Sequence, residues 1–328
     1  MVQYITRKKK GSIFEYYIDN KKITNKNTLE KINKIYIAPA YTDVKIYLNG
    51  DILATGIDAA GRKQYIYSDN MKKKREIKKF NKLIHISDNI DKLKKKIKKD
   101  LSNDKFTKDK LIALVLKIMD LCNFRGGNKR YEEKYGSYGI TTIHKKHVIL
   151  KKDSIEIDFI GKKGVNNHCI IQNKEIQDII KKVYNMTSKD NPYIFSINYK
   201  GKYINLTLLD INKYLEKFDI TTKDLRTWNA NIIFLKNLKN EIMNMDLLIY
   251  NKKTNAQKIN IRKKLIREAI KKTAILLHHT PSICKSSYIY KKILEKIENS
   301  IIIIKNSKSS IEETLKKYLY SFKRNIMI

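Results

Sequence analysis

Cysteine, proline, glycine and tryptophan are scarce in this chain: 3 Cys, 3 Pro, 11 Gly and 1 Trp among 328 residues. The cysteines, Cys122, Cys169 and Cys284, are odd in number and form no C-x-x-C pair. That pattern argues against a disulfide framework and against a zinc site, and it points to a reducing compartment. So few Pro and Gly leave no long flexible linker, and no internal repeat marks a solenoid. Apolar runs such as 111–116 and 301–304 are too short to cross a bilayer, and the N-terminal MVQYITRKKKGS lacks the apolar core of a secretion signal. The expectation is a soluble intracellular protein with no membrane partner. Neither GxxxxGK[ST] nor GxGxxG occurs, and no tight Asp/Glu/His cluster would hold Mg²⁺ or Zn²⁺. No metal and no small-molecule cofactor are expected.

Negative charge is also short, with 33 Asp+Glu against 70 Lys+Arg, a net charge of +37. Such a field attracts polyanions through counterion release, with DNA or RNA the first candidate and a membrane surface the second. Lys, Ile and Asn are all over-used, as in an A+T-rich genome, so codon bias supplies part of the charge. The charge therefore permits nucleic-acid binding without choosing an activity. Lysine runs such as 72–74 and 94–96 read as solvated helix faces, with nuclear import the alternative. Hydrophobic residues make up 42% of the chain, enough for a real core, and the length suits two domains.

Residues 3–68 read as short strands: FEYYI, KIYIA, VKIYLNG and KQYIY are aromatic and β-branched, and Asn49-Gly50 is a hairpin signal. A helical period follows over 80–101 (Phe80, Leu83, Ile84, Ile90, Leu93, Ile97), and Thr107 can cap a buried helix to about Cys122. IEIDFI and HCIIQ form a predicted hairpin with GKKG at its tip. Helices are expected at 174–186, 207–218, 223–238, 255–277 and 284–296, and a last one opens with the capping box Ser310 to Glu313. The predicted fold class is α+β: a small β-rich N-terminal domain over 1–75 and a larger, mainly α-helical domain with one small sheet over 76–328.

His279 and Tyr288 in HHTPSICKSSY stand 288 − 279 = 9 residues apart. A tyrosine that attacks a phosphate needs a donor to a non-bridging oxygen, and a histidine one short loop upstream can be that donor. The plain alternative is a helix-borne surface tyrosine after the turn at Pro281. Arginine is the planar, always charged clamp for phosphate. Arg125 lies in FRGGNKRY, where Gly126 and Gly127 would let the backbone approach a ligand. Arg226 lies in KDLRTWNAN. Structural alternatives are a helix C-cap charge for Arg125 and an ion pair with Asp224 or a neighbour for Arg226. Lys162, at the hairpin tip, is the candidate acid, or else a solvated charge.

In chain order, Arg125 in FRGG, Lys162 in FIGKKG, Arg226 in KDLRT, and His279 and Tyr288 in HHTPSICKSSY resemble the catalytic constellation of type IB DNA topoisomerases, in particular the small poxvirus and bacterial-type branch. The N-terminal IAPAYTDVKIY and TGIDAAGRKQYIY are similar to that branch's I-x-P-x-x-T-D-V and G-x-D-x-x-G-R-x-Q-Y segments. The resemblance, over about 36–290, implies the tyrosine recombinase/topoisomerase IB catalytic core behind a β-rich DNA-binding domain. It implies that Tyr288 forms a 3′-phosphotyrosyl bond, that Arg125, Arg226 and His279 stabilise the transition state, and that Lys162 protonates the leaving 5′ oxygen. Relaxation of supercoils would then need neither ATP nor metal. Gln64, Tyr65 and Tyr67 match the family's major-groove residues, although the two tyrosines could be ordinary cross-strand aromatics. Tyr131, Lys223 and Asn231 match further DNA or active-site contacts. The implied partner is double-stranded DNA, held by a monomer that forms a clamp. Composition suggests an A+T-rich large DNA virus such as an insect poxvirus, hence a place in the virion and host-cell cytoplasm. Two positions depart from the pattern: Asn128, where poxvirus members have a basic residue, and His278, where the family usually has Gly.

Two rivals remain at this level. A tyrosine recombinase or integrase shares this chemistry and the His-to-Tyr spacing, but it usually opens the second arginine's box with His, where this chain has Lys223, and it carries a helical N-terminal domain. A non-catalytic DNA-packaging protein would use the charge alone, leaving Tyr288 without a role.

Overall fold

The computed structural model describes residues 3–188, 191–300 and 309–324, so the apolar run 301–304 lies outside the described residues. The chain divides into two compact units, Met1–Asn81 and Lys82–Ile328. The division falls inside one long helix, Asp69–Leu101.

The first unit is an antiparallel sheet in the order β3-β2-β1-β4-β5-β6. Its strands are β1 (Ile5–Lys10), β2 (Ile13–Ile18), β3 (Lys21–Lys22), β4 (Thr42–Ile46), β5 (Ile52–Ile57) and β6 (Lys63–Tyr67). Helix α1 (Lys26–Asn33) starts where the Asn25 side chain accepts from the Thr28 amide, and Ile32 joins Ile5, Ile37, Val44, Ile46 and Ala54 in the core. One expected strand does not form. KIYIA is irregular because Arg7 takes two of its carbonyls: the guanidinium donates to Ile37 O at 3.2 Å and Ala38 O at 3.0 Å, and just beyond the segment to Tyr41 O at 2.9 Å. Backbone acceptors satisfied by a side chain need no neighbouring strand. The alternation of that segment still serves packing, since Ile37 is buried and Tyr36 is exposed.

Long helix α2 (Asp69–Leu101) buries Phe80, Leu83, Ile84, Ile90 and Leu93. Helix α3 (Lys108–Cys122) is capped by the Thr107 hydroxyl and ends on Asn123 in the left-handed conformation, φ 54°. A helix apolar on nearly every face belongs inside the fold, and α3 buries Leu111 to Leu116, Ile118, Met119 and Cys122. Helix α4 (Lys129–Tyr135) follows, with Asn128 as its N-cap. Strands β7 (Val148–Leu150), β8 (Ile155–Ile160) and β9 (Asn166–Ile171) form a small antiparallel sheet with Lys162–Gly164 at the β8–β9 turn.

Beyond α5 (Lys174–Met186), a second small hairpin of β10 (Ser196–Tyr199) and β11 (Lys202–Asn205) corrects the expectation of a single sheet. Its turn runs through Lys200 at φ 52° and Gly201 at φ 81°, and only the Gly is an overt turn signal. Helices α6 (Leu208–Glu216), α7 (Thr222–Met243), α8 (Leu247–Asn251) and α9 (Asn255–Leu276) complete the main core, in which Trp228 and Phe234 of α7 are fully buried. The helix expected over 284–296 is broken. A short turn, Pro281–Ile283, widens into a π-helical turn, Cys284–Tyr288, and helix α10 (Lys291–Asn299) starts afresh after extended Ile289 and Tyr290. Helix α11 (Ile311–Arg324) does open with the box: the Glu313 amide donates to Ser310 Oγ at 3.2 Å and the Ser310 amide to Glu313 Oε2 at 3.0 Å.

The expectation of no disulfide is also overturned. Cys122 and Cys169 are bonded, with Cα atoms 5.5 Å apart across a sequence separation of 47, while Cys284 is free and buried. Odd counting and local spacing miss a pair that only the meeting of α3's end with β9 creates. Among the described residues, no helix is long and apolar enough to cross a membrane, and no group of His, Cys, Asp or Glu is placed to hold a metal ion.

Candidate active site

The ends of α3 and α9 supply carbonyl oxygens, and two arginines fill the space between them. Arg226, in the first turns of α7, is oriented by a helix start in which Thr221 and Asp224 cap each other. Its guanidinium is buried and donates through Nη1 to Asn123 O and through Nη2 to Leu277 O. The third direction, Nε, faces Tyr288 Oη at 3.4 Å, and the guanidinium carbon lies 5.4 Å from the tyrosine ring centre. No ion pair with Asp224 forms; that carboxylate serves Thr221 and Lys82. Burial, then the like charge of Arg125, lowers the Arg226 pKa, yet a guanidinium remains charged in proteins. Arg125, just beyond α3, reaches His278 O through Nη1 at 3.4 Å.

Gly126 and Gly127 do allow a close approach, but to another main chain. Ile140 N donates to Arg125 O at 2.9 Å and Thr141 N to Gly126 O at 3.1 Å. A Cβ on Gly139 would lie 2.6 Å from Gly126 O, and Gly127 sits at φ +131°. These glycines fix the strand-like path that turns Arg125 inward.

Tyr288 ends the π-helical turn and is half-buried. Asn231 of α7, fully buried, holds the main chain on both sides of it: Nδ2 donates to Tyr288 O at 3.0 Å and Oδ1 accepts from Tyr290 N at 3.1 Å. This clamp also explains the broken helix, because Tyr290's amide bonds to a side chain instead of the turn before it. Burial alone would raise the Tyr288 pKa, but the Arg226 and Arg125 charges outweigh it and the phenol is lowered. The His279 ring stacks on Tyr288 with centroids 4.9 Å apart and planes 12° apart. Neither His279 ring nitrogen makes a hydrogen bond in the folded chain. Burial, with Arg226 and Arg125, pushes its pKa down to about 4, and the nearby main chain of His279 and Thr280 offsets this only in part. A neutral imidazole carries one N–H donor and one lone pair, and here both are unspent.

His278 explains why glycine would suit its position: φ is 52°, a region that costs a side chain energy. The imidazole is put to use, with Nε2 3.1 Å from Cys122 O and the ring tilted against Phe124 at 5.7 Å. A carbonyl can only accept, so Nε2 carries the proton.

Four of the five expected catalytic residues, Arg125, Arg226, His279 and Tyr288, thus meet in one place. Lys162 lies on the exposed β8–β9 turn, where Lys163 at φ 65° and Gly164 at φ 72° reverse the chain. The β9 side of that hairpin, from just past the turn, faces the site across a cavity of about 600 Å³ lined by Val165, Asn166, His168, His278 and His279. Lys223 is exposed on the first turn of α7, and Tyr131 is exposed on α4, stacked on Tyr135 at 6.0 Å. In the first unit, Tyr65 and Tyr67 share one face of edge strand β6, stacked at 6.1 Å, while Gln64 points to the other face with Nε2 bonded to Asp58 Oδ2 at 2.8 Å. Sequence reading missed the supports: Asn123, Leu277 and the Cys122–Cys169 bond. Only Asn123 gave a signal, as an Asn directly after an apolar helix.

Comparison with known proteins agrees on one family. Residues 68–315 match the model of the eukaryotic DNA topoisomerase I catalytic core, and residues 14–58 match that of the bacterial DNA topoisomerase IB N-terminal domain. A DNA topoisomerase 1B of Acanthamoeba polyphaga mimivirus is 31% identical over 100% of this chain and 97% of its own length. The DNA topoisomerase 1B of vaccinia virus (strain Copenhagen) is 25% identical over 92% of this chain and 95% of its own. A DNA topoisomerase 1 of Schizosaccharomyces pombe is 24% identical, over 66% of this chain and 25% of its own length.

Proposed function

The chain belongs to the type IB DNA topoisomerases, and from that premise we propose that Tyr288 is its nucleophile, working inside the arginine cage. The observation that carries this reading is the approach of Arg226 Nε to Tyr288 Oη at 3.4 Å, with His279 stacked on the same ring. The cations favour the phenolate, which attacks a backbone phosphorus as the bond from phosphorus to the 5′ oxygen breaks. Arg125, Arg226 and one N–H of His279 meet the charge that grows on the non-bridging oxygens. Lys162 delivers a proton to the departing 5′ oxygen. The phosphotyrosyl bond replaces the phosphodiester it consumed, so the 5′ hydroxyl can reverse the step without ATP.

Asn231 supports this by positioning the Tyr288 main chain, since burial leaves it no surface for DNA. Exposed Tyr131, Lys223 and Tyr65 and half-buried Tyr67 are assigned to duplex contact, together with Gln64 of β6. A monomer closes its two units on DNA as a clamp, supported by the net charge of +37. Relatives from mimivirus and vaccinia virus support a place in the virion and host cytoplasm.

The test is supercoiled plasmid in EDTA without ATP. Relaxation and a covalent protein–DNA adduct are expected from the native chain. Tyr288→Phe should bind DNA and form neither product; an adduct that persists in Tyr288→Phe would remove the tyrosine from the mechanism.

A further inference from the structure

The Cys122–Cys169 bond joins the end of α3 to strand β9 of the Lys162 hairpin. Cys122 is the last residue of α3. Its carbonyl accepts from His278, and the next carbonyl, Asn123 O, accepts from Arg226. Cys169 lies on β9, the strand that returns from the Lys162 turn, paired with Ile157 of β8. One covalent bond therefore runs from the floor of the arginine cage to the middle of the lysine hairpin. Noncovalent ties accompany it: Phe124 packs edge-to-face on Phe159 at 4.8 Å, and Tyr138 N donates to Ile160 O at 2.9 Å. The sulfurs' residues line the cavity of about 600 Å³ beside His279, which gives a small thiol a path to the bond.

We propose that Cys122 and Cys169 are positioning residues for Lys162, and that reducing their bond loosens the hairpin and slows DNA cleavage. The proposal rests on Lys162 being the general acid. A tip that must place an ammonium within hydrogen-bond reach of one oxygen depends on how firmly the strands beneath it are held. The redox step is thiol–disulfide exchange: a dithiol gives two electrons and two protons, the S–S bond becomes the two thiols of Cys122 and Cys169, and the dithiol closes to its own disulfide. Cys284 stays out of the exchange, because burial pushes its thiol up to about 11 and a thiol that does not ionise is a poor nucleophile.

The experiment uses the full chain, oxidised or treated with dithiothreitol, with free thiols counted by alkylation. Adduct formation on a labelled duplex is measured in a single turnover, beside duplex affinity. One free thiol should be found before reduction and three after. Reduction should slow adduct formation about tenfold, less than the hundredfold that a 1 Å misplacement can cost. Affinity should hold, and reoxidation should restore the rate. Cys169→Ser should show the slow rate in both states. In Lys162→Ala, oxidised and reduced protein should react alike. Three free thiols before treatment, equal rates in the two states of the native chain, or an undiminished redox effect in Lys162→Ala would each overturn the proposal. Failure of the underlying reading is separate: it would show as a Lys162→Ala variant that cleaves at the native rate.

Discussion

The arginine–tyrosine cage and the Lys162 hairpin differ in how much of their geometry is set before DNA arrives. In the cage, Arg226 is buried with its guanidinium bonded to the carbonyls of Asn123 and Leu277, and Asn231 holds the main chain around Tyr288. On the hairpin, Lys162 is exposed at a turn, and its position follows from the strands beneath it. Under the proposed mechanism the difference teaches that transition-state charge would be met by preorganised groups, whereas the acid would be offered from a tip that DNA itself must meet. Fixed dipoles and charges need no reorganisation at the moment of reaction. A lysine acting as acid in cleavage regains its proton from the 5′ hydroxyl when the step reverses.

The comparison breaks most visibly at Arg226. Arg226→Ala should lower single-turnover cleavage about a thousandfold, the upper range for losing one preorganised donor. It should also lower the melting temperature, because two buried carbonyls lose their donor, at roughly 1–3 kcal/mol each. Unchanged melting in that variant would show that the cage is not a structural unit. Lys162→Ala comes next: a rate loss of about a hundredfold, as for a missing general acid, with thermal melting indistinguishable from the native chain. A melting shift there would contradict the view of the hairpin tip as free of structural duty.

The smallest effect concerns pH. Because Arg226 and Arg125 lower the Tyr288 pKa, the fraction of phenolate, and with it the cleavage rate, should rise with pH and level off below the ordinary tyrosine value of about 10. Arg125→Ala removes one of the two cations, so its plateau should move to higher pH. A profile that does not move would detach Arg125 from the tyrosine.

Much of this was legible in the chain. The Thr107 cap, the Ser310 box and the β8–β9 hairpin follow from local rules, because a cap or a turn involves residues a few positions apart. Phosphoryl chemistry restricts residue types enough to make the four residues of the cage candidates, and the resemblance to the type IB topoisomerase constellation is what singled them out. KIYIA misled because its alternation was real but served packing, while Arg7, about 30 positions earlier, took the carbonyls a strand would have used. The segment 284–296 misled because a continuous helical period says nothing of Asn231, which interrupts it from another helix. Gly126 and Gly127 were recognised as a close approach, but the partner was the 139–141 main chain and could not be read from two glycines.

The sequence by itself determined the α+β class, most element positions, and the residue types able to attack, clamp and protonate a phosphodiester. Those depend on side-chain chemistry and on periodicity over one or two turns. Only the tertiary structure decided that Arg226 is oriented by two carbonyls from distant helix ends, that His278 is bolted to Cys122, and that Cys122 is bonded to Cys169. Each needs two segments far apart in sequence to meet within a few ångströms, and packing of the whole core sets that meeting.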